Sequence, residues 1–327
     1  MKHSTDTMKR KKSRSAQPPK TNAPEPYSRQ DLLAATMRKL LERRVAAARD
    51  LAVLDMQLEY LGYDLCSTKD EPQDVEAYDG TLGVSKEFVK DYERPVGQLQ
   101  WKDLTTPKLT LRFGKANQGN VSGQRWGTGA LISDDLFLTA GHCFERQFRT
   151  FQVPQEKGVP ISSHEIAPLM CVNFNFQRVG ATDETQPETQ FPILSLEEIS
   201  LGPIDYAIVK LGRDKSGQLP GKLFGTLDVA RNDLMTKNAV LCIIQHPNRE
   251  EKMVEAGHLL DTIGGRISYN DIGTSGGASG APVLSAAGEI VGVHVRGGSQ
   301  PIGGFNSGTA IGAIRAVSKL LAVGGKL

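Results

Sequence analysis

Long hydrophobic segments are absent from this sequence. No run of about 18 apolar residues, the length that a membrane-spanning helix needs, occurs in the chain. The basic start at residues 1–27 is not followed by the apolar core of a secretory signal. We therefore expect a cytoplasmic protein that does not enter a membrane.

An excess of one charge and clustered cysteines are also missing. The 39 Lys and Arg residues nearly balance the 37 Asp and Glu residues, and the net charge of +2 argues against nucleic acid as a partner. The four cysteines, Cys66, Cys143, Cys171 and Cys242, are widely spaced and form no C-x-x-C or Cys/His pattern. We expect four reduced thiols, no metal site and no cofactor.

Composition divides the chain into four regions. Residues 1–27 are basic and polar, which predicts a disordered basic arm. Residues 28–62 carry apolar residues at heptad spacing and predict one long amphipathic helix. That helix either packs on the rest of the protein or pairs with another helix, so a partner protein or self-association through residues 28–61 stays open. Residues 63–100 are acidic and aperiodic, typical of a linker, and residues 101–327 form the main domain.

From residue 101 onward, short apolar runs alternate with Gly, Pro, Asn and Asp. Glycine is above its usual share, at 34 of 327 residues. The clearest predicted strands are residues 109–113, 136–139, 170–176, 206–211, 239–245 and 290–295. The pattern predicts a mainly β domain, a barrel or a sandwich. The amphipathic stretch at residues 311–323 predicts a closing C-terminal helix.

Three short segments of this region carry residues that could act together. LFLTAGHC (residues 136–143) is an apolar strand that delivers His142 at its end. IDYAIVKL (residues 204–211) places Asp205 just before a strand, and GTSGGASGAPV (residues 273–283) presents Ser279 in a glycine-dense turn. Each segment alone has an ordinary structural explanation, whereas all three in the order His, Asp, Ser are far more specific.

These residue types match the needs of nucleophilic catalysis. A serine hydroxyl is a poor nucleophile until an imidazole takes its proton. The imidazole needs a buried carboxylate that fixes its tautomer and stabilises the imidazolium. The developing oxyanion needs backbone N–H donors, which glycines beside the serine allow the chain to present. We therefore predict His142, Asp205 and Ser279 as a catalytic triad.

The three segments resemble those of the chymotrypsin-like, or trypsin-fold, serine peptidases over about residues 108–321. The resemblance implies two antiparallel six-stranded β-barrels. It implies that His142 is the general base and acid, Asp205 its orienter and Ser279 the nucleophile. It also implies an oxyanion hole formed by the N–H groups of Gly277 and Ser279.

Three stretches, DIGTSGGAS, GVHVRGG and FNSGTAI, resemble bacterial glutamyl endopeptidases more specifically. The resemblance places Thr274 and His294 where those enzymes accept the substrate carboxylate, and Gly297 and Gly298 where substrate backbone pairs with the strand. Arg296 would supply the charge that some of them take from their N-terminal amine. The implied preference is Glu, then Gln, then Asp, because the Thr/His pair also resembles viral chymotrypsin-like proteases that accept Gln. Packing beneath the second barrel is the alternative role of His294.

The departures from the family pattern bear on compartment and activation. The usual cystine partner of Cys143 falls at Gly127, so that disulfide cannot form. Secreted digestive relatives carry an Asp just before the nucleophile, which receives a new N-terminal amine on activation; here that position is Ala278. The Asp of Arg- and Lys-specific pockets falls at Gly273. We expect a protease that stays reduced inside a cell.

The leading hypothesis is a serine endopeptidase that hydrolyses protein or peptide substrates through an acyl-enzyme. The resemblance further suggests a regulated intracellular protease that acts on one partner protein. The alternative is a catalytically silent protease-fold binding module. The complete triad and the glycines of the oxyanion hole favour the enzyme.

Overall fold

The computed structural model describes residues 39–40, 43, 72–146, 151–231, 235–297 and 306–322. The chain divides into two compact units, Met1–Glu42 and Arg43–Leu327, and every element below belongs to the second. The predicted basic arm (residues 1–27) and nearly all of the predicted helix 28–62 lie outside the described residues. Within those described ranges, no helix is long and apolar enough to cross a membrane.

The second unit consists mainly of β-strands. They are β1 (Gln73–Asp74), β2 (Val96–Trp101), β3 (Arg125–Leu131), β4 (Leu136–Thr139), β5 (Gln155–Glu156), β6 (Val159–Pro160), β7 (Met170–Phe174), β8 (Thr189–Ser200), β9 (Tyr206–Leu211), β10 (Val240–Gln245), β11 (Met253–Ile263), β12 (Arg266–Asn270), β13 (Pro282–Ser285), β14 (Ile290–Arg296) and β15 (Asn306–Ala310). Short α-helices join them: α1 (Lys86–Tyr92), α2 (Pro107–Phe113), α3 (Ser163–Ile166), α4 (Pro220–Phe224) and α5 (Ile311–Val317). Single 3-10 turns lie at Lys115–Asn117, Gly141–Phe144, Ala167–Leu169 and Pro247–Arg249.

The strands form two antiparallel rings of six. The first barrel closes in the order β2-β3-β4-β9-β8-β7. In the second, the order is β11-β10-β13-β14-β15-β12, and pairing of β12 with β11 closes the ring. The short β1 adds to the outer edge of β11. The expected mainly β fold of two six-stranded barrels with a C-terminal helix is confirmed.

Apolar side chains fill each barrel, most of them from its own strands, and Phe224 of α4 joins those of the first. In the first, Phe174 lies 6.1, 5.6 and 4.7 Å, between ring centroids, from Phe137, Phe191 and Phe224. Such edge-to-face and offset contacts add to the stabilisation from burial. The second barrel is more aliphatic, and the run VLCIIQ of β10 is buried almost throughout. β-Branched runs of this kind fit the pleated, covered surface of a strand.

The structure corrects the predicted linker and its boundary at residue 101. The strand β2 begins at Val96 and is part of the first barrel, while β1 pairs with β11 of the second. Between them, Tyr78 and Val89 are buried in the core. Most charged side chains of residues 72–95 face solvent around a few buried apolar residues, a pattern too short to show as periodicity.

Two helix predictions also change. Residues 109–113, expected as a strand, belong to α2, because Pro107 occupies its first turn and presets helical backbone angles. The C-terminal helix is confirmed but ends at Val317 rather than at 323. It stops because the Glu198 carboxylate accepts the N–H groups of Lys319 and Leu320 at 2.8 and 3.0 Å, which draws the chain out of the helix.

Candidate active site

His142 lies in the 3-10 turn that follows β4. The apolar strand LFLT pairs with β3 and β9, so the turn is delivered to the side of the barrel that faces Ser279. The preceding Gly141 is required by close packing: a Cβ there would lie 2.3 Å from the Ser200 carbonyl oxygen. The imidazole is 1 % exposed.

Asp205 immediately precedes β9 and is held from the second barrel. Its N–H donates to Thr309 Oγ1 at 3.1 Å, and Thr309 Oγ1 donates to the Asp205 carbonyl oxygen at 2.8 Å. Thr309 lies on β15, within a stretch noted above only for its family resemblance. Sequence reasoning missed this positioning role, since two segments about 100 residues apart show no local signal of contact.

Ser279 lies in the turn before β13. The Ala278 N–H donates to the Ser275 carbonyl oxygen at 3.0 Å, which closes the turn. Gly277 has φ of +106°, a conformation that favours glycine, and a Cβ there would lie 2.3 Å from the His246 carbonyl oxygen. The glycine-dense sequence is therefore a steric requirement of this turn.

The three predicted triad residues form one hydrogen-bonded chain. His142 Nε2 lies 2.9 Å from Ser279 Oγ, and His142 Nδ1 lies 2.8 Å from Asp205 Oδ2. The other carboxylate oxygen of Asp205 accepts the His142 backbone N–H at 3.0 Å. Asp205 and Ser279 are each 2 % exposed, so these bonds lie in a low-dielectric environment that strengthens them.

Two backbone donors beside Ser279 remain available. Across the described part of the chain, no group accepts a hydrogen bond from the N–H of Gly277 or from that of Ser279. These are the two donors that the family resemblance implies for an oxyanion hole. The arrangement can therefore offer a nucleophile, a base, an orienting carboxylate and two unpaired N–H groups in one place.

The predicted specificity residues Thr274 and His294 both border β15. Thr274 Oγ1 lies 3.2 Å from Asn306 Oδ1, while His294 pairs with Gly308 across the strands. His294 is fully buried, and its Nδ1 is hydrogen-bonded to the Tyr269 hydroxyl. Sequence reasoning found neither Asn306 nor Tyr269, because nothing local marks the partner of a buried side chain.

Burial decides the charge of His294. Desolvation by burial is the main cause that lowers the pKa of His294 to about 3, and the electrostatic effect of nearby His142 is the second. The imidazole is therefore neutral at physiological pH. Its Nε2 is buried and makes no hydrogen bond within the described residues, so it is free to bond a group that enters the site.

The remaining predicted residues lie at the end of β14. A β-bulge between His294 and Arg296 breaks the strict alternation of side chains. The buried orientation of His294 therefore does not carry over to Arg296, which is partly exposed. Gly297 follows the strand and is buried, whereas Gly298 lies outside the described residues.

Cys143 faces the position where the family has its cystine partner. A Cβ added at Gly127 would lie 2.9 Å from Cys143 Sγ. Cys143, Cys171 and Cys242 are buried and form no disulfide within the described residues. Cys66 lies outside the described residues. Among the residues that are described, no group of three or more His, Cys, Asp or Glu side chains could hold a metal ion.

Comparison with known proteins agrees with the trypsin-like fold. Residues 127–293, just over half of the chain, match the family described as trypsin-like peptidase domain, and that range includes all three triad positions. The chain belongs to this family. The y4fB protein of Sinorhizobium fredii (strain NBRC 101917 / NGR234), itself uncharacterized, is 28% identical over 182 residues. The match covers 52% of this chain but only 25% of that protein.

Among solved structures, this trypsin-like chain is similar to an HtrA-type protease, AlgW with a tripeptide. The two are 16% identical, with a TM-score of 0.43 over 73% of this chain and 64% of that chain.

Proposed function

We propose that this trypsin-like protein is a serine endopeptidase that uses Ser279, His142 and Asp205. The observation that carries the proposal is the continuous hydrogen-bonded chain from Ser279 Oγ through the imidazole to the Asp205 carboxylate. It places the nucleophile within proton-transfer distance of its base and holds the base in one tautomer.

The reaction uses these groups in two half-reactions. As Ser279 Oγ attacks the carbonyl carbon of the substrate, its proton passes to His142 Nε2, and the carbonyl oxygen becomes an oxyanion bound by the N–H groups of Gly277 and Ser279. His142 then gives the proton to the leaving amine, which leaves an acyl-enzyme. A water molecule repeats the sequence: His142 takes its proton, its oxygen attacks the acyl carbon, and Ser279 recovers the proton. Asp205 stabilises the imidazolium in both halves.

The proposal is tested by active-site labelling and turnover. A fluorophosphonate probe should label the wild-type protein and not Ser279→Ala, and casein or a peptide library should be cleaved by the wild type alone. Both Ser279→Ala and His142→Ala should lower kcat by about 10⁴- to 10⁶-fold. Thr309→Ser, which keeps the hydroxyl that holds Asp205, is the matched control and should stay active. A folded wild-type protein that neither reacts nor cleaves would support the silent binding module instead.

The specificity pocket supports cleavage after an uncharged Gln in preference to Glu at neutral pH. When Tyr269 donates its hydroxyl proton to His294 Nδ1, the ring carries its own proton at Nε2 and donates it to a substrate side-chain oxygen. A hydrogen bond from a neutral imidazole offsets the cost of desolvating an amide, but a neutral ring offers no counter-charge to a buried carboxylate. This reverses the first two places of the order expected from glutamyl endopeptidases. Thr274 would be the second contact of the same side chain.

Peptide-library profiling tests this preference. We expect Gln before the scissile bond, with Glu second. His294→Ala should lose the preference more than it loses turnover of an unselective substrate, and Tyr269→Phe should shift the Gln-to-Glu ratio without abolishing cleavage. A profile dominated by Arg, Lys or large aromatic residues would contradict the pocket while leaving the triad intact.

A further inference from the structure

Thr128, on β3 of the first barrel, contacts the nucleophile turn of the second barrel. Its side chain is fully buried. Its hydroxyl donates to the Gly277 carbonyl oxygen at 2.7 Å, and its backbone N–H donates to the Ser279 carbonyl oxygen at 2.9 Å. The same hydroxyl accepts the His246 N–H at 3.1 Å. Both residues that supply the oxyanion donors are thus held through their carbonyl groups by one residue.

The nucleophile turn needs a restraint from outside, because its glycines do little to limit its backbone torsion angles. Gly276 and Gly277 are consecutive, and residues without a Cβ allow the peptide groups around them to rotate at low cost. The Gly277 carbonyl and the Ala278 N–H belong to one planar peptide group, which the turn holds on one side only, through the bond from Ala278 N–H to the Ser275 carbonyl oxygen. The bond from Thr128 to the Gly277 carbonyl oxygen holds the same peptide group from its other side. Rotation about Gly277 is then restricted, which limits the directions that the N–H of the neighbouring peptide group, that of Gly277, can take.

The loop on the other side of the turn is held by the same hydroxyl. Asn248 N–H donates to Ser275 Oγ at 3.0 Å, and a Cβ at Gly277 would lie 2.3 Å from the His246 carbonyl oxygen. Asn248 and Arg249 have φ of +53° and +64°, which is rare for residues other than glycine. Strained backbone of this kind persists only where its surroundings hold it, and the bond from His246 N–H to Thr128 is part of that restraint.

We propose that Thr128 is the positioning residue of the oxyanion hole. It does not touch the substrate; it sets the two N–H groups that do. Buried Ala278, at the position where relatives described above carry an Asp, has no charge that could hold the turn. In this protein the neutral hydroxyl of Thr128, from the first barrel, holds the turn instead. The inference rests on the proposed peptidase function.

The test compares Thr128→Val with Thr128→Ser. Valine keeps the shape but removes both hydroxyl bonds, while serine keeps them. Because the oxyanion exists only in the transition state, misdirected donors lower kcat rather than raise KM. We expect Thr128→Val to lose about 10²-fold in kcat, with KM within about threefold of wild type. Thr128→Ser should restore kcat to within about threefold of the wild-type value.

Thr139→Val is the control for a merely structural loss. Thr139 Oγ1 donates to the Thr128 carbonyl oxygen, so this variant also removes a buried hydroxyl bond of β3 but leaves the turn's carbonyls bonded. It should keep kcat within about threefold. If Thr128→Val does not fold, Thr128→Cys, whose thiol is a weak donor, replaces it and should give an intermediate loss of kcat.

The outcomes separate this inference from the proposed function. Unchanged kcat in folded Thr128→Val, an equal loss in Thr139→Val, or an effect on KM alone would overturn the positioning role while turnover remains dependent on Ser279. Wild-type protein without turnover that depends on Ser279 would overturn both. A kcat loss in Thr128→Val that Thr128→Ser repairs would support the role.

Discussion

The distance from a Cβ at position 127 to Cys143 Sγ fits a disulfide bond between the two positions. A Cβ at position 127 would lie 2.9 Å from Cys143 Sγ. In a disulfide, the Cβ of one cysteine lies about 3 Å from the partner's Sγ, given an S–S bond of about 2.0 Å. The substitution Gly127→Cys should therefore form a disulfide with Cys143 on mild oxidation, without displacement of β3 or of the 3-10 turn that carries Cys143.

The expected stabilisation can be worked out from the loop that the bond closes. Positions 127 and 143 are separated by roughly 16 residues, for which the chain-entropy model gives about 3 kcal/mol of unfolding free energy. Crowding opposes this, since the new Cβ would lie 3.0 Å from the Ser279 carbonyl oxygen. Overpacking commonly costs about 1–3 kcal/mol. We expect a net gain of about 1–2 kcal/mol, which raises Tm on the order of 5 °C.

Urea unfolding with and without reductant measures the gain directly. Intact mass should show the loss of two hydrogen atoms in oxidised Gly127→Cys, and its reduced form is the internal reference. Gly127→Ser is the matched control and should be destabilised, because its Cβ meets Cys143 Sγ at 2.9 Å without bonding to it. Failure of the disulfide to form, or an oxidised protein no more stable than the reduced one, would refute this reasoning.

Three further results are expected. Asp205→Asn should lower kcat by about 10⁴-fold while Tm changes little, since the amide permits the wrong imidazole tautomer; kcat within tenfold of wild type would contradict the triad. Cleavage after Glu relative to Gln should rise as pH falls from about 8 to 5, because a protonated Glu enters beside neutral His294 without a desolvated charge, and a ratio independent of pH would contradict this. Lys252 and Glu93 form a buried pair with 2.8 Å between Nζ and Oε2. Glu93→Gln should therefore lower the free energy of unfolding by about 3–5 kcal/mol, and the double variant with Lys252→Met should lower it far less. Equal losses in urea unfolding would show that the pair is not coupled.

Local sequence signals were sufficient for much of the fold. The run YAIVKL was predicted as a strand at residues 206–211 and is β9 at the same bounds. Its β-branched and aromatic residues, with Asp205 in front, are a pattern contained within a few residues. The glycines around Ser279 are an equally local signal, because the steric limits of a tight turn determine the residues within the turn itself. Where these arguments failed, as in residues 109–113, a Pro at a helix start outweighed the apolar pattern.

Only the tertiary structure decided how the site is held and what charge it carries. Thr128, Thr309 and Tyr269 each bond a residue at least 25 positions away in the chain, and no spacing rule connects their hydroxyls with the carbonyl oxygens or the ring nitrogen that they bond. The charge of His294 likewise follows from burial, which depends on every strand packed around it. Residue type and order determine which chemical groups the protein possesses. Distances and dielectric environment, which determine what those groups do, exist only after residues distant in sequence have been brought together.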